Sequence, residues 1–364
     1  MGDMEQTMKK RILFMTESLG IGGAQKIIVF VANQAIQAGY DVTLMAMQPD
    51  TNIFKIDSNI KVITPSILTD NKKIAIFEKV RFFRKILSST KFDCIINFPI
   101  SQTSFLALLG NKIPLLTSER GAPSMYPFIG KMVMKYMFSK SKLVGFQTSM
   151  AQDYYTQLSK SKTFVIPNPV FFDQSGQDKI FKRQDVISVG RFDPVKKFDN
   201  LIQSFIELHD DFPDERLVIY GDGPQRDLLE KMIADANAQN YIKLPGKIKI
   251  TPDFYNQAKI FVLSSQYEGI PNTLLEALST GTPVVATDCE PGGARFLTKN
   301  GTVGGPVVPF NDVQTLRNSL YHSLHHYDEA LKIGELGKYV NQEFAPDIIA
   351  KKWLDEIERF VEGA

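Results

Sequence analysis

Two parallel-sheet α/β domains facing a cleft are the architecture this sequence predicts, on three observations. Short β-branched and apolar runs alternate with segments of helical periodicity, and the scheme occurs twice along the chain. The runs are continuously apolar, as strands covered by helices on both faces must be. Finally, 364 residues exceed one ordinary core, whereas two domains of average size fit the length well.

The elements follow in order. "RILFMT" reads as the first strand, "GGAQKIIVFVANQAIQAGY" as a turn and helix, and "DVTLMAM" as the second strand. Further strands fall at "IKVIT", "FDCIINF", "IPLLTS", "KLVGFQT" and "TFVIPN", with helical stretches between them. The second half repeats the scheme at "DVISVGR", "RLVIYGDG", "YIKLPG", "IFVLSS", "TPVVATD" and "GGPVVP". No short-period repeat is present. Residues 168–185, polar and without sustained periodicity, form the natural joint, which gives domains over 1–172 and 173–345. Residues 346–364 form a last amphipathic helix with Ile349, Trp353, Leu354 and Ile357 on one stripe. Ligands of open α/β sheets sit at the carboxyl ends of the strands, so both domains are expected to present loops to the cleft.

Composition removes several classes of function. No apolar run reaches the ~18–20 residues of a membrane span. The "ILFM" near the start is too short for a signal-peptide core. Cys94 and Cys289 are far apart, so neither a disulfide framework nor a Cys-based zinc spacing exists. A reduced, cytoplasmic protein is expected. The net charge of +2 hides an asymmetry: residues 1–170 carry 21 Lys/Arg against 11 Asp/Glu, and the remainder 21 against 29. The basic half is expected to meet an anionic partner: nucleic acid, a lipid surface or a phosphate-bearing acceptor.

Four loops between a strand and a helix suit an anion. "GIGGAQK" leaves backbone N–H groups uncovered at a helix start through Gly22 and Gly23, although a tight turn explains it equally well. "VGRFDPVKKFDNLIQSF" places Arg191 and Lys196 five residues apart around one loop, a spacing that clamps a diphosphate from two sides. A solvated basic loop is the competing reading. "YGDGPQRDLLE" reads on its own as a structural turn. "YEGIPNTLLEALSTGTPVVATD" carries Glu268 and Glu276, yet Thr273 and Glu276 also have the spacing of a capping box, which makes Glu276 an ordinary helix-start residue.

Taken in order, "GGAQK", "VGRFDPVKKFDNLI", "YGDGPQRDLL" and "EGIPNTLLEALSTGTPVVATD" resemble glycosyltransferase family 4 over almost the whole chain. The resemblance implies the GT-B fold of two Rossmann-like domains, the first binding acceptor and the second nucleotide sugar, with the helix over 346–364 returning to the first. It implies catalytic roles for Arg191, Lys196 and Glu268. Arg191 and Lys196 would neutralise the donor diphosphate, approached from the other domain by Gly22 and Gly23. Glu276 would accept from the ribose hydroxyls and Glu268 would lie near the donor sugar. Backbone around Gly269, Ile270, Asn272 and Thr273 would touch sugar or phosphate, and the Gly246–Lys247 loop would hold the base. The implied chemistry is retaining transfer of a hexose or N-acetylhexosamine from a UDP-sugar. "TDCEPGGARFL" resembles a segment common among bacterial transferases of that class. Cations and helix N-terminal amides suit the charge of a departing nucleotide. No metal and no cofactor are expected, since His209, His322, His325 and His326 form no ligand cluster. The chain departs from the family pattern in having no His before residue 209. "TSERGAP" resembles a bacterial surface-polysaccharide subset instead, with Glu119 and Arg120 as candidates for sugar or acceptor contact. A plain loop ion pair is the alternative.

The acceptor side is read from "NKKIAIFEKVRFFRKIL", residues 71–87. Here Ile76, Val80, Phe83 and Leu87 share a face, with Phe77 and Ile86 at its edges and Lys72, Lys73, Lys79, Arg81, Arg84 and Lys85 against Glu78 alone. Lys72, Lys73, Arg84 and Lys85 are candidates for contact with an anionic membrane, consistent with a lipid-linked saccharide acceptor at the inner face of the plasma membrane. "GKMVMKYMFSKSK" at 130–142 adds to the basic domain. No nucleic-acid-binding module accompanies the charge. Two other functions share this fold: a sugar-nucleotide epimerase, and a catalytically silent protein that binds nucleotide sugar or polysaccharide as a scaffold or sensor.

Overall fold

The computed structural model describes residues 9–20, 22–48, 54–66, 69–172 and 181–363. The chain divides into two compact units, the first made of Met1–Arg120, Tyr126–Ile166 and Asp347–Ala364, the second of Gly121–Met125 and Pro167–Pro346. Of the polar joint read at 168–185, residues 173–180 lie outside the described residues.

The first unit is built on seven parallel strands, β1 (Arg11–Thr16), β2 (Asp41–Ala46), β3 (Lys61–Ile63), β4 (Cys94–Asn97), β5 (Leu115–Ser118), β6 (Leu143–Phe146) and β7 (Thr163–Val165). Their order, β3-β2-β1-β4-β5-β6-β7, reverses between β1 and β4, the switch point at which such sheets leave room for a ligand. The helices are α1 (Gly23–Gln37), α2 (Lys72–Ser89), α3 (Gln102–Leu108), α4 (Phe128–Lys140) and α5 (Ser149–Asp153). Asn71 starts α2 by accepting from the amides of Lys73 and Ile74. α2, α3 and α4 share one core cluster, in which Phe83, Leu108 and Met137 meet Leu13, Met15, Ile95 and Leu115.

The last helix, Pro346–Glu362, completes this unit. Trp353 is fully buried, stacked on Phe98 at 5.6 Å and edge-on to Phe164 at 5.4 Å. Ile349, Ile357, Phe360 and Val361 are buried beside it, while Leu354, placed on the stripe by spacing, is only half-buried.

The second unit holds six parallel strands, β8 (Val186–Val189), β9 (Leu217–Tyr220), β10 (Ile242–Gly246), β11 (Ile260–Leu263), β12 (Val284–Thr287) and β13 (Val307–Val308), in the order β10-β9-β8-β11-β12-β13. It reverses between β8 and β11. Among the described residues all thirteen strands fall on the apolar runs read from the sequence. The helices are α6 (Phe198–Ile206), α7 (Arg226–Asp235), α8 (Pro252–Asn256), α9 (Asn272–Ser279), α10 (Gly293–Leu297), α11 (Val313–His325), α12 (Tyr327–Leu336) and α13 (Val340–Glu343). One face of the sheet is closed by α6, α7 and α11 through Phe198, Leu201, Phe205, Leu229 and Leu316. Among the described residues, no helix is long and apolar enough to cross a membrane.

Candidate active site

In the second unit the loops leaving β8 and β11, the switch-point pair, carry the two groups of opposite charge. β8 ends at Val189, and Pro194–Lys196 forms a single 3-10 turn before α6. Lys197 then takes the left-handed conformation, φ 52° and ψ 40°, which is uncommon for a lysine and gives the turn its abrupt direction. The exit of β11 grips this turn: Ser264 Oγ donates to the Lys196 carbonyl at 2.7 Å and the Gln266 amide to that of Val195 at 2.8 Å. The Lys196 ammonium forms an ion pair with Glu268 Oε1, which also accepts from Ser265 Oγ at 3.1 Å. Both side chains are mostly enclosed, 24% and 18% exposed, so the pair is less screened than a surface bridge. Arg191 is placed differently. Its side chain is 72% exposed and its Nε lies 3.3 Å from Asp193, so it reaches into solvent beside the lysine turn.

The Glu268 loop is fixed by its neighbour after β12. The Glu268 amide donates to the Glu290 carbonyl at 2.8 Å and the Glu290 amide to that of Gln266 at 3.0 Å. Behind it Gly293 is a steric necessity: a Cβ there would lie 2.2 Å from the Gly269 carbonyl oxygen. Cys289 is fully buried, and burial, reinforced by the nearby Glu268 charge, pushes its thiol up to about 12. It is a packing residue. Asp288 pairs with Arg295 at 2.8 Å. Ile270 is buried, so only its backbone is available to a ligand. Asn272 opens α9, where its side-chain oxygen accepts from Asn168 Nδ2 at 2.7 Å.

The capping-box reading of Thr273 and Glu276 is not what the structure shows. The residue capping α9 is Pro271, with no side-chain cap, and Thr273 lies inside the helix. Glu276 accepts at Oε2 from the Tyr255 hydroxyl at 3.1 Å. Tyr255 is fully buried among Phe172, Phe254 and Phe261. Burial and the Glu276 charge push its phenol well above the ordinary value, so it remains a proton donor at neutral pH. At the end of β10, Gly246 has φ 96° and its carbonyl accepts from the Gly221 amide at 2.9 Å, while Lys247 is exposed. Gly221, from the "YGDG" turn, crosses the β8 exit so closely that a Cβ would sit 1.8 Å from the Gly190 carbonyl.

In the first unit, Gly22 caps α1 without a side-chain hydrogen bond and Gly23 is its first residue. Ile21 lies outside the described residues. Glu119 is 3% exposed and accepts from the Arg120 amide at 2.9 Å, the Tyr126 hydroxyl at 3.0 Å and the Tyr155 hydroxyl at 3.5 Å. Burial first, then this carboxylate, raise both phenols far above their usual value. The Arg120 guanidinium lies 4.7 Å from the Phe98 ring and 5.3 Å from that of Trp353, with Nε and Nη2 shut off from solvent. Burial pulls it down to about 9 against the opposing pull of Glu119, so it stays a cation at neutral pH. These two residues therefore organise an interior, with Glu119 holding two tyrosines and Arg120 two aromatic faces. On α2, Phe83 is buried, Lys79 pairs with Glu17 at 3.9 Å, and Arg84 donates to the Leu106 carbonyl at 3.0 Å. Lys72, Lys73, Arg84 and Lys85 are exposed. Among the described residues no group of three His, Cys, Asp or Glu has the arrangement of a metal site.

Two family models account for most of the chain: "Glycosyl transferases group 1" matches residues 172–339 and "Glycosyltransferase Family 4" matches residues 21–174. The chain belongs to the family-4 glycosyltransferases. Among its relatives is an α-1,4-N-acetyl-D-galactosaminyltransferase of Campylobacter jejuni named for an undecaprenol-diphosphate-linked acceptor. It is 25% identical, over 94% of this chain and 97% of the relative. An amylovoran biosynthesis glycosyltransferase of Erwinia amylovora is 21% identical, over 96% and 99%. The TarM structure from S. aureus, with UDP bound, superposes with a TM-score of 0.77 at 15% identity, covering 95% and 99%. This family-4 glycosyltransferase thus has the GT-B fold, and its activity is glycosyl transfer.

Proposed function

We propose that the protein is a retaining, metal-independent hexosyltransferase. It moves a hexose or N-acetylhexosamine from a UDP-sugar to a lipid-linked saccharide during bacterial surface-polysaccharide synthesis. The observation that carries this reading is the enclosed Lys196–Glu268 pair at the β8–β11 switch point. A cation already held by an anion at that position is suited to exchange the carboxylate for a donor phosphate. Arg191, 72% exposed beside it, closes on the same diphosphate, and the N-terminus of α9 presents amides. These groups together supply the positive charge that bond cleavage requires, with no cofactor. Released from Lys196, Glu268 lies at the sugar end, while Glu276 accepts from the ribose. The lipid-linked acceptor is supported by the name of the Campylobacter relative and by the basic first unit. On this reading the enzyme works in the cytoplasm, peripheral on the inner face of the plasma membrane.

The test is a screen of UDP- and GDP-sugars with a membrane lipid extract, followed by nucleotide release and product anomer analysis. Extract-dependent UDP release with an α-linked product is expected. Glu268→Gln should lose turnover far more than UDP binding. Arg191→Ala should lose both, by about 2–4 kcal/mol. Unchanged transfer in both variants refutes the assignment of these residues.

A further inference from the structure

The first unit carries a surface that the donor chemistry leaves unexplained. α4 begins with Phe128, 78% exposed, and Ile129, 75% exposed, followed one turn later by Met132 at 58%. With Tyr136 they line the outward side of the helix, while Met134, Met137 and Phe138 are buried on the other. Lys131, Lys135 and Lys140 stand among them, and α4 contains no acid. Between Asp93 and Asp153 the chain has one acidic residue, Glu119, which is turned inward. α2 continues the pattern across α3. Phe77 is 66% and Ile74 48% exposed, in a field of Lys73, Arg81, Arg84 and Lys85 interrupted by the exposed Glu78 alone. The three helices are joined by the Arg84–Leu106 hydrogen bond and the Phe105–Tyr136 ring contact at 5.7 Å.

Large apolar side chains held this far into water have no use in a monomer's own packing. An acidic protein partner would suit the lysines, and an apolar one the phenylalanines. The mixture, apolar tips rimmed by long cations with almost no acids, matches the boundary of an anionic bilayer, where tips enter the acyl region and ammonium groups stay with headgroup phosphates. We infer that the first turn of α4 is an insertion wedge for an anionic lipid surface, with α2 as the cationic rail beside it. This deepens the lipid-linked acceptor reading by giving the contact a place and a mode. Binding is then only partly electrostatic.

Co-sedimentation with phosphatidylglycerol–phosphatidylcholine vesicles, without donor or acceptor, tests this apart from catalysis. Wild-type protein is expected to bind and to retain part of its binding in high salt. Phe128→Ser with Ile129→Ser, both on exposed positions, should weaken binding on the order of tenfold or more and remove the salt-resistant part. An unchanged circular dichroism spectrum and unfolding transition should confirm the variant's fold, and unchanged UDP binding separates this result from the donor reading. A Met132→Cys variant carrying a polarity-sensitive dye should shift to the blue on adding vesicles, since Cys94 and Cys289 are buried and remain unlabelled. Vesicle binding equal to wild type in the serine variant, or no dye shift, overturns the inference. So does a wild-type dimer that the serine variant dissociates while vesicle binding persists, which assigns the patch to a second copy of the chain.

Discussion

The two units are built on the same principle and differ in what they do with polar residues. In the second, the switch-point loops are tied into one another: Ser264, Ser265, Gln266, Glu268 and Glu290 are joined by hydrogen bonds, and Lys196 is paired before any ligand arrives. In the first, the polar groups that are organised, Glu119 with Tyr126 and Tyr155 and Arg120 against Phe98 and Trp353, face inward, while the outer surface is basic and apolar. A site that binds one charged nucleotide gains from fixed groups at fixed positions. A surface that meets a bilayer needs composition and curvature more than exact placement. The difference teaches that in this chain the loops tied together by polar groups are those of the second unit's switch point, whereas the first unit's ordered polar groups serve its interior.

The contrast can be broken most severely at Trp353. Trp353→Ala removes a fully buried indole between Phe98 and Phe164, and should cost the first unit about 3–5 kcal/mol in denaturant unfolding. UDP binding by calorimetry is expected to survive under conditions where that unit has melted; simultaneous loss of both shows that the donor site depends on the first unit. A smaller effect is expected at Gly293→Ala. The new Cβ drives the Gly269 carbonyl outward, so donor affinity should fall by about 1–3 kcal/mol, more than the melting temperature reflects. An affinity equal to wild type means the Glu268 loop tolerates displacement. The smallest is Tyr255→Phe, which removes one hydrogen bond to Glu276, worth about 0.5–1.5 kcal/mol, and should raise the donor KM about 2- to 10-fold with kcat nearly constant. The variant should also discriminate less between a UDP-sugar and its 2′-deoxyribose analogue. Unaltered discrimination disconnects Glu276 from the ribose.

How far the sequence revealed all this follows the same division. Strands were legible throughout because buried parallel strands leave runs such as "IFVLSS" and "CIIN" that helices seldom imitate. Arg191, Lys196, Glu268 and Glu276 were legible as candidates because their spacing is local to one loop or one turn. What pairs with them was not: Ser264 and Tyr255 reach Lys196 and Glu276 from elements 68 and 21 residues away, and no pattern announces such partners. The capping box failed for a related reason, since Pro271 directs the chain into α9 two residues too early for Thr273 to cap it. On α4 the sequence, read only for its basic residues, did not separate the buried from the exposed apolar side chains. "KMVMKYMF" reads as a helix with apolar residues all round, and only the packing separates buried Met134 and Met137 from exposed Met132.

The placement of the last helix has a consequence in time. The first unit's core is closed by Trp353, Ile357 and Phe360, which the ribosome makes only after the roughly 180 residues between Ile166 and Asp347. At ordinary elongation rates of ~5–20 residues per second, the unit begun first waits about 10–40 s for its final piece, while the unit begun second can fold meanwhile. During that interval the faces of Phe98 and Phe164 that Trp353 later covers stand open on the nascent chain. The unit begun second can therefore be complete before the unit begun first, whose final piece is also the last to be made.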